Sequence, residues 1–300
     1  MTTYTTAEPA KVQVTFNKNN IERSTRESVE RSVAALVARS VEASTRSRLA
    51  DTELAKLSGS INAPFLRLLE SDSVAREAAH ALQSRELIAP GEIEKLNPES
   101  PFVGGGTTSA IAPFDFSWNW HDGAAPFNQQ INPPAGYVGI DARSGSVTGG
   151  ASGFVNAHAG YGVILARVSE GMHAQAWATL SFLRFFYAMR AVGIGSNATT
   201  EGGVELTVLE NGRLIASVAT QIWRRRISAN ESGSDTQQFG RMDLPPPNTP
   251  LRFTMSPGRE YAFNIGLWAF TDRSTGVGGA AVQGLVEGNT SLMQASWGSG

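Results

Sequence analysis

Cysteine is missing from all 300 residues. Its absence excludes disulfide staples, thiolate metal sites and cysteine nucleophiles. A surplus of one charge is missing too. With 25 basic and 27 acidic side chains, the formal net charge is -2, so the chain lacks the concentrated Lys and Arg that drive binding to nucleic acid. No nucleic-acid partner is expected. Long hydrophobic runs are also absent. Stretches such as 161–166 are far too short to cross a bilayer as a helix, and the Thr-rich segment 1–20 carries no apolar signal core. The expected location is cytoplasmic, or outside the cell by a route without a secretory signal peptide.

Glycine and tryptophan are scarce in the first third. Only Gly59 and Gly91 of the 31 glycines precede residue 103, and all six tryptophans follow it. By contrast, 27 of the 52 charged residues lie within the first hundred. Charge-rich, glycine-poor sequence favours exposed helix, whereas glycine, aromatics and regular turns favour sheet. The expected fold class is therefore α+β by segregation: an N-terminal helical segment followed by an all-β antiparallel sandwich, for which a jelly roll is one topology. The expected divisions are a flexible arm or short strand over 1–20, a helical region over 21–97, a Pro/Gly-rich linker over 98–110 and the sandwich over 111–300.

Local patterns fill in this outline. Val12, Val14 and Phe16 alternate with polar residues. Val29, Val33, Leu36, Val37, Val41 and Leu49 recur at helical spacing, predicting a helix over 21–57 with one thin apolar stripe. Further helices are expected from about 64 until Pro90-Gly91 stops them, followed by a short turn through Ile93 and Leu96. Beyond the linker, Phe114, Phe116, Trp118 and Trp120 alternate with polar residues, the period of a half-buried strand that needs a thick apolar layer opposite. The runs 155–168 and 173–194 flank Ser169-Glu170-Gly171 and read as a hairpin, which would set His158 opposite Leu183. The run 177–189 is apolar at nearly every position, so it reads as a strand covered on both faces in preference to a helix. Asn211-Gly212 supplies the two positive φ angles of a type I′ hairpin turn. Later strands are expected over 251–255, 261–270, 279–287 and 291–297.

Candidate chemistry is sparse. The four histidines, His80, His121, His158 and His173, show no paired spacing on one strand, so no metal site and no cofactor are expected. His121-Asp122 is an acid–base pair in sequence, but neighbours on a strand point to opposite faces, and Asp122-Gly123 reads as a turn. No glycine-rich stretch has the context of a nucleophile elbow or a phosphate loop. The one dense basic run is Trp223-Arg224-Arg225-Arg226. On a strand, Arg224 and Arg226 would share one face and Trp223 and Arg225 the other. Such a group suits phosphate, sulfate, carboxylates or a partner protein, and equally suits a charged edge that discourages strand pairing.

The function expected from these features is a non-enzymatic binding or assembly protein. Its helical part would serve oligomerisation, as in a homo-oligomer, or docking, and its sandwich would recognise a protein or glycan, with Trp268 or Trp297 able to stack on a sugar. Two alternatives follow from the same residues. One is a soluble membrane-active or pore-forming protein, the only reading with membrane contact. The other is a hydrolase assembled from carboxylates on separate strands, such as Asp115, Asp141, Glu205 or Asp243.

Overall fold

The computed structural model describes residues 11–42, 45, 103–146, 153–192, 196–228, 230–246, 249–274 and 279–299. The chain divides into two compact units, residues 1–37 with 92–300, and residues 38–91. Of the second unit only 38–42 and 45 are described, all helical. The helices expected between about 64 and Pro90, and the remainder of the one expected over 21–57, lie outside the described residues. No described helix is long and apolar enough to cross a membrane.

The first unit is dominated by antiparallel strands. In chain order they are β1 (Lys11–Phe16), β2 (Val103–Ala110), β3 (Phe116–Gly123), β4 (Asn128–Asn132), β5 (Tyr137–Ser146), β6 (Gly153–Leu165) and β7 (Met172–Val192). They continue with β8 (Asn197–Glu210), β9 (Arg213–Ser228), β10 (Ser232–Phe239), β11 (Met242–Leu244), β12 (Leu251–Met255), β13 (Tyr261–Ser274) and β14 (Gly279–Ser299). One sheet has the order β1-β3-β6-β13-β8-β9. The other runs β10-β7-β14-β5-β4, with β11 and β12 also paired to β7 and β2 paired to β14. Alternate residues of both sheets meet in one core, among them Val155, Ala157, Tyr161, Val204, Leu206, Phe263 and Ile265 from the first and Leu180, Leu183, Phe185, Val286 and Met293 from the second. The arrangement is sandwich-like.

The long apolar run in β7 follows from its position. β14 flanks it along nearly its whole length, and β10, β11 and β12 follow one another along its other edge. Its inner residues enter the core, while Trp177, Phe182 and Phe186 lie half-buried on the other face. Asn211 and Gly212 turn the β8–β9 hairpin at φ 43° and 89°, as a type I′ turn requires. The two strands expected over 279–287 and 291–297 are one strand, β14, with register shifts between Asn289 and Leu292. Such bulges let a strand bend without ending. Residues 103–110, placed by composition within a linker, form β2. There Gly106 leaves space for the Trp297 ring, which a Cβ would meet at 2.7 Å.

The expected β6–β7 hairpin does not form. β6 pairs with β3 and β13 in the first sheet and β7 lies in the second. His158 accordingly faces Trp120 and Trp268, not Leu183. A short connection limits the distance between two strand ends but not the sheet each strand joins. β6 settles where glycines on both sides admit large rings.

The six-stranded sheet is buried on both faces at its centre. Phe116, Trp118 and Trp120 project to the face away from the sandwich core and are at most 1% exposed. Phe114, expected on the same face, instead packs into the core against Tyr161 at 5.3 Å. The layer that meets the aromatics is glycine. A Cβ on Gly162 would lie 2.1 Å from Phe116, and one on Gly266, two strands from Trp118, would lie 2.6 Å from that indole. The rings therefore lie across neighbouring strands. Helix α1 (residues 23–42) joins this outer face through its predicted stripe, with Val29, Val33, Leu36 and Val37 buried. Thr25, Ser28, Val29 and Ser32 face Ile164, Leu209 and Ala262 across a small gap, and Thr25 donates to Glu260 at 3.0 Å.

Four phenols, buried Tyr161, Tyr187 and Tyr261 and half-buried Tyr137, are held in their neutral form. Burial and the hydrogen bond donated to Glu287 push Tyr137 up to about 12. Burial raises Tyr161 and Tyr187 as well, and burial with the bond to Glu210 raises Tyr261. A folded-state pKa above the unfolded value means that this stabilisation is complete below about pH 10 and lost as pH rises through the folded value. Alkaline titration of phenolate absorbance will therefore lag behind the denatured protein for these four of the five tyrosines. Coincident native and denatured curves would refute this. For the glycine layer, Gly162→Ala will lower stability by about 1–3 kcal/mol through overpacking. Gly171→Ala, with nothing within 4 Å of its Cβ position, will leave the denaturant midpoint nearly unchanged.

Candidate functional site

The outer face of the six-stranded sheet carries the most organised set of chemical groups among the described residues. One register row crosses it: Trp120 on β3, His158 on β6, Trp268 on β13, Gly203 on β8 and Gln221 on β9. The His158 ring is stacked between two indoles, with its centroid 4.0 Å from Trp120 and 6.2 Å from Trp268. Its Nδ1 lies 2.6 Å from Glu205 Oε1 and its Nε2 lies 3.1 Å from Asn156 Oδ1. A carboxylate only accepts, so Nδ1 carries a hydrogen and donates it to Glu205.

Glu205 and His158 stand on strands separated by β13, a span of roughly 9.6 Å between backbones. They meet because Gly266 lies between them. A Cβ there would approach Glu205 Oε1 to 3.2 Å and would strike Trp118. One glycine thus makes room for both the indole and the His158–Glu205 hydrogen bond. Buried polar groups on the same face, Asn264, Thr207 and the indole nitrogens of Trp118 and Trp120, have no hydrogen-bond partner among the described residues.

Burial decreases along the face. At the α1 end Leu209 and Ala262 are 1% and 4% exposed, whereas Trp268, Phe270 and Glu201 at the other end are half-exposed. Around Trp268, Glu201 accepts from Gln221 Nε2 at 2.9 Å and pairs with Arg224 Nε at 3.6 Å. Gln221, Arg224 and Arg226 are exposed on edge strand β9. Phe270 packs beside Phe154 at 6.4 Å. An aromatic surface flanked by an acid, an amide and a guanidinium combines stacking with directional hydrogen bonding.

The basic run is divided between two faces. Trp223 is inside the core, stacked on Phe185 at 5.2 Å and donating to Thr200 at 3.2 Å. Gly202 admits its ring. Arg225 points inward with Trp223 and is buried, while Arg224 and Arg226 point outward. The four carboxylates considered for hydrolysis are dispersed. Asp115 pairs with Lys18 and accepts from the Ile164 amide, Asp141 binds Arg143 and Gln283, Asp243 accepts from Thr179, and Glu205 binds His158. Asp122 accepts from the Gly123 amide at the end of β3. No group of three His, Asp or Glu among the described residues is placed to hold a metal. Trp297 packs in the core.

Sequence reasoning missed the His158–Glu205 pair because it lies 47 residues apart and depends on β13 lying between β6 and β8. The available signal was Gly266 inside an apolar strand, since an interior glycine marks a close approach. Removing the acid tests the pair. Glu205→Ala leaves the imidazole without its partner and will cost about 1–3 kcal/mol in denaturant unfolding. Glu205→Gln, which still accepts, will cost clearly less. Equal stability of both variants and the parent would show that the pair contributes nothing.

No family model matches the chain, and no curated protein matches it. Solved structures offer distant likenesses. A family 11 carbohydrate-binding module from Clostridium thermocellum, in complex with a β-1,3-1,4-mixed-linked tetrasaccharide, is 12% identical over 65% of this chain and 94% of the module, with a TM-score of 0.18. The VP2 protein of infectious bursal disease virus is 9% identical over 69% of this chain and 44% of its own, with a TM-score of 0.16. The enzymatically active domain of tailspike protein 4 from bacteriophage CBA120 is 13% identical over 63% of this chain and 19% of its own, with a TM-score of 0.15. At these scores the likenesses carry no argument about ligand or mechanism.

Proposed function

We propose that the protein is a binding protein whose sandwich recognises a glycan on the outer face of the six-stranded sheet, with Trp268 as the stacking surface. The observation that carries the reading is the setting of Trp268. It is a half-exposed indole on a rigid central strand, backed by His158. On the next two strands of the same sheet, Glu201, Gln221 and Arg224 form a connected polar set. The C–H face of a pyranose stacks on such a ring while its hydroxyls exchange hydrogen bonds with the acid and amide. Strand positions hold these groups more firmly than loops would. In this reading residues 38–91, a separate compact unit, serve as the docking or assembly arm.

A glycan array followed by calorimetry tests the reading. A buried-edge aromatic of this kind is worth about 2 kcal/mol, so Trp268→Ala will weaken the best glycan roughly thirtyfold. Gln221→Ala will weaken it less. An array that stays blank with folded protein, or affinity indifferent to Trp268, would reject the proposal.

A further inference from the structure

The outer face of the second sheet carries an ordered set of groups that neither the core nor the Trp268 surface uses. One register row crosses its middle: Gln238 on β10, Arg184 on β7, Glu287 on β14, Gly139 on β5 and Gln130 on β4. Gln238, Arg184 and Gln130 are exposed, so the row is open to solvent at its middle and at both sheet edges. On the same face of β7, Phe182 and Phe186 flank Arg184 and are half-buried. Four residues of regular strand set these two positions roughly 13 Å apart.

The charges in this region are matched from within. Glu287 Oε1 lies 2.6 Å from Arg184 Nη2, and its Oε2 accepts from Tyr137 at 2.9 Å. The Tyr137 ring reaches that position by lying over Gly139, where a Cβ would meet its hydroxyl at 2.7 Å. In the next row Asp141 accepts from Arg143 at 2.6 Å and from Gln283 at 3.0 Å. Each carboxylate thus has its guanidinium, and these four charged side chains sum to zero.

A charged ligand would have to compete with these pairs, and breaking one strands its partner. An uncharged ligand does not. What the face offers it is two phenyl rings on the solvent side, which present flat surface for C–H stacking, and exposed amides that each donate and accept. Rings so far apart suit separate units of a chain better than one small sugar. We infer that this face is a second glycan platform, which takes an uncharged polysaccharide along β7 with separate sugars on Phe182 and Phe186 and hydroxyls on Gln238, Arg184 and Gln130. The platform shares its ligand class with the Trp268 surface but not its residues. The two lie on opposite sides of the sandwich, so one molecule would bridge two chains.

Affinity electrophoresis of the full chain in native gels tests this, with a mixed-linkage β-glucan, a xylan, a galactomannan and a dextran as probes and alginate as the charged control. The Trp268→Ala chain isolates this face, and at least one neutral polymer will still retard it. Adding Phe182→Ala and Phe186→Ala will weaken that retardation about tenfold or more. Adding instead Gln130→Ala and Gln238→Ala, two exposed side chains that the fold can lose, will weaken it by a smaller factor. A Trp268→Ala chain that runs freely in all four polymers while the parent is retarded overturns this platform and leaves the Trp268 surface standing. Free migration of the parent in all four overturns both. Retardation that survives both pairs of substitutions, or that is as strong in alginate, also overturns the platform.

Discussion

A sheet buried on both faces must find room for side chains on the face that a two-layer sandwich leaves to water. In this protein the room comes from missing side chains. Gly160 and Gly266 share one register row and Gly162 stands in the next, and the rings of Phe116 and Trp118 lie flat over Gly162 and Gly266. Gly160 itself allows close strand approach, since a Cβ there would sit 2.1 Å from the Ile265 carbonyl. Filled positions would lift the aromatics off the sheet, and the outer layer, with the polar groups set among the rings, would have nothing to rest on.

That layer concentrates groups that are expensive to bury. The His158–Glu205 pair is satisfied, and the two indoles that flank the imidazole hold it in place. Asn264, Thr207 and the Trp118 and Trp120 nitrogens are not satisfied by described residues, and each such group costs on the order of 1–3 kcal/mol. A surface that carried only stability would use apolar residues here. These groups lie on the same sheet face as Trp268 and the Glu201–Gln221–Arg224 set. Among the described residues, this face holds hydrogen-bonding capacity that is left unused.

Much of the architecture was legible from the residues. The alternation in 116–122 gave β3, the stripe Val29, Val33, Leu36 and Val37 gave the buried side of α1, and Asn211-Gly212 gave the β8–β9 turn. The unbroken apolar run in β7 was legible as a strand covered on both faces. The candidate site was not legible. Trp268 was visible as an aromatic, but its neighbours come from β6, β8 and β9, and no local pattern orders those strands. The β6–β7 connection misled for the same reason, since turn length is silent about which sheet a strand joins. Alternation in 223–226 correctly divided the arginines between two faces.

By itself, the sequence determined what is local: strand periods, turn conformations, the helical stripe, and the absence of thiol chemistry and of a strong charge field. These depend on neighbours within a few residues, where backbone sterics and side-chain direction decide the outcome. Tertiary structure alone decided that His158 meets Glu205 over Gly266, that Trp268 stands at the exposed end of a buried face, and that Arg225 is enclosed. Each depends on strand order and register between segments tens of residues apart, and those are set by the packing of the whole sheet.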